Sequence, residues 1–256
     1  MFRKLAILLI VLLALSVLFT GCAKKEEKVE EEAALHIVIA TDATWPPMEM
    51  VAENKEIVGF DIDLMAAVAE AGGFTYEFRN TAWDGIFAGL STKEYDAVMS
   101  SVTITEERKE TMDFSDPYIN AGQILVVQKE TTGVESLADM AGMSVGAQIG
   151  TTGAFAIEKA EGVTLKTYDE IGLAFEDLAN GRIDGAVADT PVAADFALQN
   201  ENYKGKLMIV GKPFTDEFYG IAVNKGNTAV LDAVNAGLAK VLNTDTYTAI
   251  EEKWLR

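Results

Sequence analysis

Short apolar runs alternate with helical patterns along residues 35–256. The runs are rich in β-branched and aliphatic residues, which is typical of buried strands, and they fall at 35–40, 95–100, 143–147, 183–188, 207–210 and 219–223. Residues 74–78 alternate aromatic and polar side chains and predict a half-buried strand. Apolar residues at helical spacing predict helices over 60–71, 83–91, 152–160, 173–180, 191–199, 228–242 and 246–254, with a further helix starting at about 106. This alternation predicts an α/β fold with parallel sheets.

The N-terminal residues follow a different pattern, which indicates an export signal. Arg3 and Lys4 precede an apolar run over residues 5–19 that is short for a membrane-spanning helix and typical of a signal peptide. Cys22 follows small residues in an arrangement that resembles a bacterial lipobox, with Phe19 where leucine is usual. We therefore expect a signal peptide over 1–21 and a lipidated Cys22; the alternative is an uncleaved signal anchor.

Residues 23–34 are densely charged and show no apolar periodicity. Together with the lipidated Cys22, this segment is expected to form a charged tether over residues 22–34 that carries no chemistry of its own.

The composition excludes several functional classes. The chain of 256 residues has 40 Asp and Glu against 21 Lys and Arg, a formal net charge of −19. This balance disfavours nucleic-acid partners and docking on anionic lipid, so we expect no nucleic acid and membrane attachment through the lipid anchor only. A single histidine, His36, and a single cysteine, Cys22, leave too few ligands for most zinc sites and too few residues for a disulfide framework. We expect no metal, no cofactor and no catalytic residue.

Polar residues follow four of the predicted strands, at the point where each strand ends. In open α/β sheets, ligands bind outside the carboxyl ends of the strands. The candidates at these ends are Asp42 and Trp45; Ser100, Ser101 and Thr103; Gln148, Thr151 and Thr152; and Asp189. This set of hydroxyls, carboxylates and aromatic faces suits a small zwitterion or polyol better than an apolar ligand.

Arg108 and Asp189 are the two charged candidates with the clearest chemistry. Arg108 falls in the first turn of a predicted helix, where a cation opposes the helix dipole, and its guanidinium is suited to hold a carboxylate. The alternative for Arg108 is a surface pair with Glu107 or Glu110. Asp189 ends an apolar strand and is suited to face an ammonium group. Its alternative is an N-cap for the helix that follows.

Trp45, Trp83 and Asp42 are candidates for contact with a ligand side chain. The two tryptophans lie at a strand-to-helix connection or a helix start, where they are able to flank a flat, aliphatic or cationic group. Asp42 is suited to meet a cation. The alternatives are core packing for the tryptophans and a turn or cap role for Asp42. His36, inside the first strand, is expected to be a packed or surface-facing residue without a binding role.

Several short motifs in register resemble family 3 of the extracellular solute-binding proteins, the amino-acid receptors of ABC importers. The resemblance covers about residues 35–256, and its motifs lie at 41–49, 58–64, 83–86, 95–98, 100–108, 112–118, 150–152, 180–184 with Asp189, and 219–223. It implies a two-lobed type II periplasmic-binding-protein fold with two hinge crossovers. The implied lobes are residues 35–120 plus 219–256 and residues 121–218.

The resemblance also implies roles for individual residues. Arg108, Thr103 and the Thr151–Thr152 region would hold an α-carboxylate, and Asp189 with the Ser100–Ser101 region would hold an α-ammonium. Trp45 and Trp83 would flank the ligand side chain, Asp42 would lie near its tip, and Gln148 would vary with specificity. Met48 stands where phenylalanine is usual, and Gly153 stands where some binders of basic residues carry a larger polar group.

The implied function is a lipid-anchored extracytoplasmic receptor for a free amino acid, with an ABC permease as its partner and a monomeric state. Arginine, lysine or histidine is the expected ligand, and glutamine is next. The alternatives are a dehydratase of the same fold, similar to the cyclohexadienyl dehydratases, and a ligand-sensing domain. Glu170, Glu176 and Asp42 are the candidate acids for a dehydratase, but none of them lies in a motif for that chemistry. The loop over 146–152 lacks the lysine of a phosphate-binding loop.

Overall fold

The structure, a computed structural model, describes residues 35–255. The predicted signal peptide over 1–21, the lipidation of Cys22 and the tether over 22–34 lie outside the described residues. Within residues 35–255, none of the helices has both the length and the apolar character needed to cross a membrane.

The strands are short and are numbered in chain order. They are β1 His36–Thr41, β2 Thr44–Trp45, β3 Glu49–Val51, β4 Ile57–Val58, β5 Thr75–Asn80, β6 Ala97–Val98, β7 Met112–Phe114, β8 Ile119–Asn120, β9 Gln123–Gln128, β10 Ser144–Gln148, β11 Thr164–Tyr168, β12 Gly185–Asp189, β13 Leu207–Val210, β14 Phe218–Tyr219 and β15 Ala222–Asn224.

The α-helices are likewise numbered in chain order. They are α1 Phe60–Gly72, α2 Ile86–Thr92, α3 Glu106–Thr111, α4 Thr152–Lys159, α5 Ile171–Ala179, α6 Thr190–Ala194, α7 Thr228–Val241 and α8 Asp245–Trp254. A 3₁₀ turn spans Leu137–Met140, and a π turn spans Asp195–Gln199.

Two five-stranded sheets form the centres of two lobes. The first has the order β5-β1-β6-β15-β7 and the second the order β11-β10-β12-β9-β13. The first sheet draws its strands from residues 36–114 and 222–224, whereas the second draws its strands from residues 123–210. The predicted two-lobed α/β fold is therefore confirmed.

The prediction of parallel sheets holds for β1 with β5 and β6 and for β10 with β11 and β12, but each sheet also contains antiparallel strands. β9 pairs antiparallel with β12, and β15 pairs antiparallel with β6. Both strands come directly after a segment in which the chain passes from one sheet to the other. Gln123 at the start of β9 is paired with Asp189 at the end of β12, so the entering strand begins at the carboxyl edge and must run the opposite way.

The two crossings lie side by side. β8 and β14 form a two-stranded antiparallel ribbon in which Ile119 is paired with Tyr219. Thr103 forms an isolated bridge with the same tyrosine. The predicted strand over 219–223 is divided here into β14 and β15. This ribbon is the place where a hinge between the lobes is expected.

Two glycines determine where α1 ends and how closely it packs against α7. Gly73 caps α1 in a left-handed conformation with φ of 75°, so the predicted stop at the glycine pair is confirmed. α1 packs against α7, and a β-carbon on Gly237 of α7 would lie 2.3 Å from the Val68 carbonyl oxygen. This close approach helps to bury Leu64, Val234 and Leu238 completely.

Two predicted helices differ from those observed. The helix expected over 83–91 begins only at Ile86, because Gly85 before it is left-handed with φ of 95°. The helix expected over 191–199 is split into the short α6 and the π turn. In both cases the apolar spacing persists across the irregular backbone, which is why the pattern alone did not reveal the change.

Candidate functional site

The predicted ligand-binding residues lie together in one cleft between the carboxyl ends of the two sheets. The cleft contains about 310 Å³ of empty space, its open mouth included, and its lining residues are Asp42, Trp45, Glu49, Trp83, Ser100, Ser101, Thr103, Arg108, Gln148, Thr151, Thr152 and Asp189. Asp42 follows β1, the serines follow β6, Gln148 ends β10 and Asp189 ends β12. The strand ends therefore supply nine of the twelve lining residues. Trp83 and Arg108 were predicted on other grounds, and Glu49 was not predicted.

Arg108 is held in place by backbone carbonyls and aromatic rings. Its Nη1 donates to the Thr103 carbonyl oxygen at 2.8 Å, and its Nη2 donates to the Gly150 carbonyl oxygen at 3.3 Å. The guanidinium carbon lies 5.5 Å from the centroid of the Trp83 ring and 5.0 Å from that of Phe87, both within cation–π range. The alternative of a surface pair with a neighbouring glutamate is not what the structure shows.

The electrostatic surroundings of Arg108 are mixed. Burial lowers the pKa of Arg108 to about 10, against the opposing influence of Asp189, Glu217 and Glu107. Arg108 is the third residue of α3 and so lies in the first turn, as predicted. Because α3 has only six residues, Arg108 also falls in the last turn, where the helix dipole favours a cation. Arg108 is the cationic residue of the cleft lining, and the guanidinium N–H groups that it does not use on carbonyl oxygens can donate to a ligand.

Asp189 is a buried carboxylate with an unpartnered oxygen. Its side chain is 4% exposed, and its Oδ1 has no hydrogen-bond partner among the described residues. It occupies the N-cap position of α6 but makes no side-chain capping bond, so the capping alternative is wrong. Burial raises the pKa of Asp189 to about 7. A buried acceptor without a donor is costly, and a cationic donor in the cleft would remove that cost.

Asp42 joins the two lobes through Gln148. The Gln148 Nε2 donates to Asp42 Oδ2 at 2.9 Å and also to the Asp169 carbonyl oxygen at 2.8 Å. The other carboxylate oxygen of Asp42 accepts the Thr44 hydroxyl at 2.8 Å, so the local turn role is present as well. Burial raises the pKa of Asp42, and the bonds from Thr44 and Gln148 oppose that rise.

Trp45 and Trp83 serve both the cleft and the core. They are 6% and 8% exposed, they line the cleft, and each also packs in a cluster of buried apolar residues. Trp45 Nε1 is a buried donor with no hydrogen-bond partner among the described residues. The core and ligand interpretations of these tryptophans are therefore compatible.

Glu49 lies beneath the two serines and completes the first lobe's wall. It is fully buried and accepts the hydroxyls of Ser100 at 3.1 Å and Ser101 at 3.2 Å. Burial, reinforced by the charge of Asp61, raises the pKa of Glu49 well above its usual range. Ser101 has φ of 52°, a left-handed conformation uncommon outside glycine that is often associated with functional sites. Glu49 was not among the predicted residues, because a glutamate is ordinarily exposed.

The threonines of the cleft play different parts. Thr151 caps α4: its hydroxyl accepts from the Ala154 N–H at 3.2 Å and donates to the Gln148 carbonyl oxygen at 2.8 Å. Thr103 and Thr152 lie closer to Arg108's side of the cleft, with their hydroxyl oxygens 3.4 Å apart. His36 lies far from these groups in the chain and on the surface, where its Nδ1 is 2.9 Å from the Thr75 hydroxyl.

Comparison with known proteins identifies what this arrangement is similar to. The family model described as bacterial extracellular solute-binding proteins, family 3, matches residues 37–256. A probable histidine-binding protein of Neisseria gonorrhoeae is 38% identical over 220 residues, which are 84% of this chain and 81% of that protein. A putative ABC transporter arginine-binding protein 2 of Escherichia coli is 38% identical over 231 residues, 88% of this chain and 92% of that protein.

A solved structure shows the same likeness in three dimensions. An ancestral arginine-binding protein bound to arginine superposes with a TM-score of 0.81 at 42% identity, covering 86% of this chain and 98% of that one.

Proposed function

The chain belongs to the bacterial extracellular solute-binding proteins, family 3, and on that premise we propose that it is a lipid-anchored receptor that captures one free amino acid and delivers it to an ABC importer. Its relatives are named as binding proteins of transporters, and the chain is a solute receptor rather than an enzyme. The dehydratase alternative is weaker, since it rests on the fold alone.

One observation carries the proposal: the cleft combines a positioned cation, Arg108, with a buried carboxylate, Asp189, whose Oδ1 has no hydrogen-bond partner among the described residues. Arg108 supplies N–H donors for an α-carboxylate, and Asp189 Oδ1 supplies an acceptor for an α-ammonium. These are the two charges that every free amino acid presents. Thr103 and Thr152 add hydroxyl groups on the carboxylate's side, and the Ser100–Ser101 segment adds polar groups on the ammonium's side.

The rest of the cleft favours a cationic side chain. Asp42 presents a carboxylate that forms no ion pair within residues 35–255, in the same cleft that Trp45 and Trp83 line. We propose arginine, lysine or histidine as the ligand, with glutamine next. Relatives are named for histidine, arginine, cystine and glutamine, and the names that mention arginine and histidine support a cationic ligand. Gln148 would adjust this preference through its bond to Asp42.

The two lobes are proposed to close on the ligand as a monomer. We assign residues 35–120 and 219–256 to the first lobe and residues 121–218 to the second, with the β8–β14 ribbon as the hinge. The bonds from Gln148 to Asp42 and from Arg108 to the Gly150 carbonyl span the cleft and support a closed form.

A panel of the twenty amino acids tests the binding function. The full chain is purified in mild detergent, then unfolded and refolded to remove carried-over ligand, and its melting temperature is measured with each amino acid. Ligand at about 100 times its Kd adds about 2.7 kcal/mol, which raises Tm by a few degrees. We expect a shift with arginine, lysine or histidine that is lost in Arg108→Ala and Asp189→Ala. A shift with glutamine alone would contradict the cationic preference, and no shift with any amino acid would contradict the receptor.

Membrane attachment is tested separately through Cys22. In a bacterial host the chain is expected in the membrane fraction, and Cys22→Ser is expected in the soluble extracytoplasmic fraction or as an uncleaved precursor. Metabolic labelling with a tritiated fatty acid should mark the parent chain and not the variant. Equal labelling of both would contradict lipidation at Cys22 without touching the binding function.

A further inference from the structure

Glu217, which immediately precedes the hinge strand β14, reaches hydroxyl groups that come from both lobes. Its Oε2 accepts the Thr152 hydroxyl at 2.6 Å, the Thr103 hydroxyl at 3.2 Å and the Gln123 side-chain amide at 3.4 Å. Thr103 follows β6 of the first sheet. Gln123 begins β9 of the second sheet, and Thr152 begins α4, the helix that follows β10 of that sheet. One carboxylate oxygen therefore gathers donors from segments far apart in the chain.

The contact with Glu217 removes two hydroxyl hydrogen-bond donors from the cleft. A threonine hydroxyl has one proton to donate, and a carboxylate is the strongest acceptor available to it. At 2.6 Å, the Thr152 proton is committed to Glu217. Glu217 is also the nearest acceptor of the Thr103 proton, since the Thr152 hydroxyl is farther away at 3.4 Å. Both hydroxyls then turn lone pairs, not protons, towards a ligand.

The charge of Glu217 acts in the same direction. Glu217 lies close enough to Arg108 to favour the charged form of the guanidinium, as Asp189 does. A ligand carboxylate at Arg108 would therefore have to bind beside the carboxylate of Glu217. Two carboxylates beside one guanidinium repel each other, and the half-buried position of Glu217 weakens the screening by water.

We propose that Glu217 is an internal competitor for the α-carboxylate of the ligand, holding the Thr103 and Thr152 hydroxyls that the ligand must recover in order to bind. The inference rests on the proposed function, because it presumes an amino acid whose carboxylate lies at Arg108. Glu217 is thus a positioning residue that lowers the receptor's affinity for the amino acid. Because the two hydroxyl groups can return to Glu217, it also favours release of the ligand.

The test measures Kd by isothermal titration of L-arginine, or of the amino acid with the largest shift in the panel, into the full chain. Glu217→Gln keeps the shape and removes the charge, and Glu217→Ala removes the acceptor. Both are expected to bind about 3- to 10-fold more tightly than the parent, which corresponds to the net contribution of one ordinary hydrogen bond. Glu107→Gln is the matched control: it removes the same charge beside Arg108 without touching either threonine, and its Kd should stay within about 2-fold.

A double-mutant cycle separates this role from a structural one. In a Thr152→Val background the Thr152 proton is already absent, and Glu217 holds only the Thr103 hydroxyl, so the gain in affinity from Glu217→Gln should be smaller than in the parent background. Weaker or unchanged binding in both Glu217 variants, an equal gain in Glu107→Gln, or an undiminished gain in the Thr152→Val background would each overturn the proposal. If the parent chain binds no amino acid, the proposed function itself fails, whereas a parent that binds with unimproved variants refutes this inference alone.

Discussion

The side-chain amide of Gln148 donates to the Asp42 carboxylate at 2.9 Å, and this bond joins residues that are 106 positions apart, at the ends of strands in different sheets. Asp42 receives a second hydrogen bond from Thr44, and neither partner is charged. Neither bond supplies a positive charge to the Asp42 carboxylate, and a ligand cation in the cleft would supply it.

Asp42→Asn tests this use of charge. The variant keeps the size of the side chain and removes the charge, so the affinity for L-arginine should fall about 10- to 100-fold while that for L-glutamine changes by less than about 3-fold. Isothermal titration of both ligands measures the split. Asp84→Asn, an exposed acid next to Trp83, is the control and should leave both affinities within about 2-fold. Equal losses for the two ligands would mean that Asp42 acts on the fold and not on the ligand's side chain.

Arg108→Lys tests the importance of the guanidinium's shape. Lysine keeps the positive charge but cannot donate in a planar fork to the Thr103 and Gly150 carbonyls while lying against the Trp83 and Phe87 rings. We expect about a 100-fold loss of affinity for any amino acid that the parent binds. Lys109→Arg, the reverse exchange at an exposed neighbour paired with Glu106, should have no measurable effect. Full affinity in Arg108→Lys would refute the clamp.

The pH dependence of binding tests Asp189. Burial raises its pKa to about 7 in the free protein, whereas a ligand ammonium requires the ionised carboxylate. Binding therefore releases a proton, and the affinity for L-arginine should rise with pH up to about 7, by at most about tenfold per pH unit, and then level off. Titrations between pH 5 and 8 measure the slope. Asp189→Asn should bind weakly, with a flattened profile; a parent profile that is flat over this range would contradict the role.

The stability of the free protein should fall as the pH rises, because of Asp61, whereas the affinity for the ligand should rise. Asp61 is fully buried, accepts the Ser101 N–H and the Tyr118 hydroxyl, and has a pKa raised by burial to about 7. A raised pKa in the folded state gives stability that is complete below about pH 4 and is lost as the pH rises through 7. Asp61→Asn mimics the protonated acid and should gain stability relative to the parent over that range. Urea unfolding of both proteins at pH 4 to 8 measures the difference, and a constant difference across the range would refute it.

The position of the cleft was predictable because ligands bind outside the carboxyl ends of the strands in open α/β sheets. Asp42, Gln148 and Asp189 each follow an apolar strand that ends where polar groups can face solvent or ligand. Glu49 and Glu217 were not found, for a different reason in each case. Glu49 is a buried acid, whereas a glutamate is ordinarily exposed, and Glu217 comes to the site through the chain's second crossing between the lobes.

The direction of the strands was also beyond the sequence pattern. Apolar runs of four to six residues look the same whether they run parallel or antiparallel. Only the crossing of the chain from sheet to sheet decides that β9 and β15 enter at the carboxyl edge and run backwards. The first crossing brings Gln123 and the second brings Tyr219 to the side chain of Asp189, where neither residue was predicted.

A crystal structure of the chain grown with L-arginine tests the central claim most directly. We predict one ligand per chain in the cleft, with its α-carboxylate within about 3.2 Å of an Arg108 guanidinium nitrogen and its α-ammonium at about the same distance from an Asp189 oxygen. The guanidinium of the ligand should lie between Trp45 and Trp83 and face Asp42. A ligand bound in the reverse orientation, or bound outside this cleft, would contradict the account.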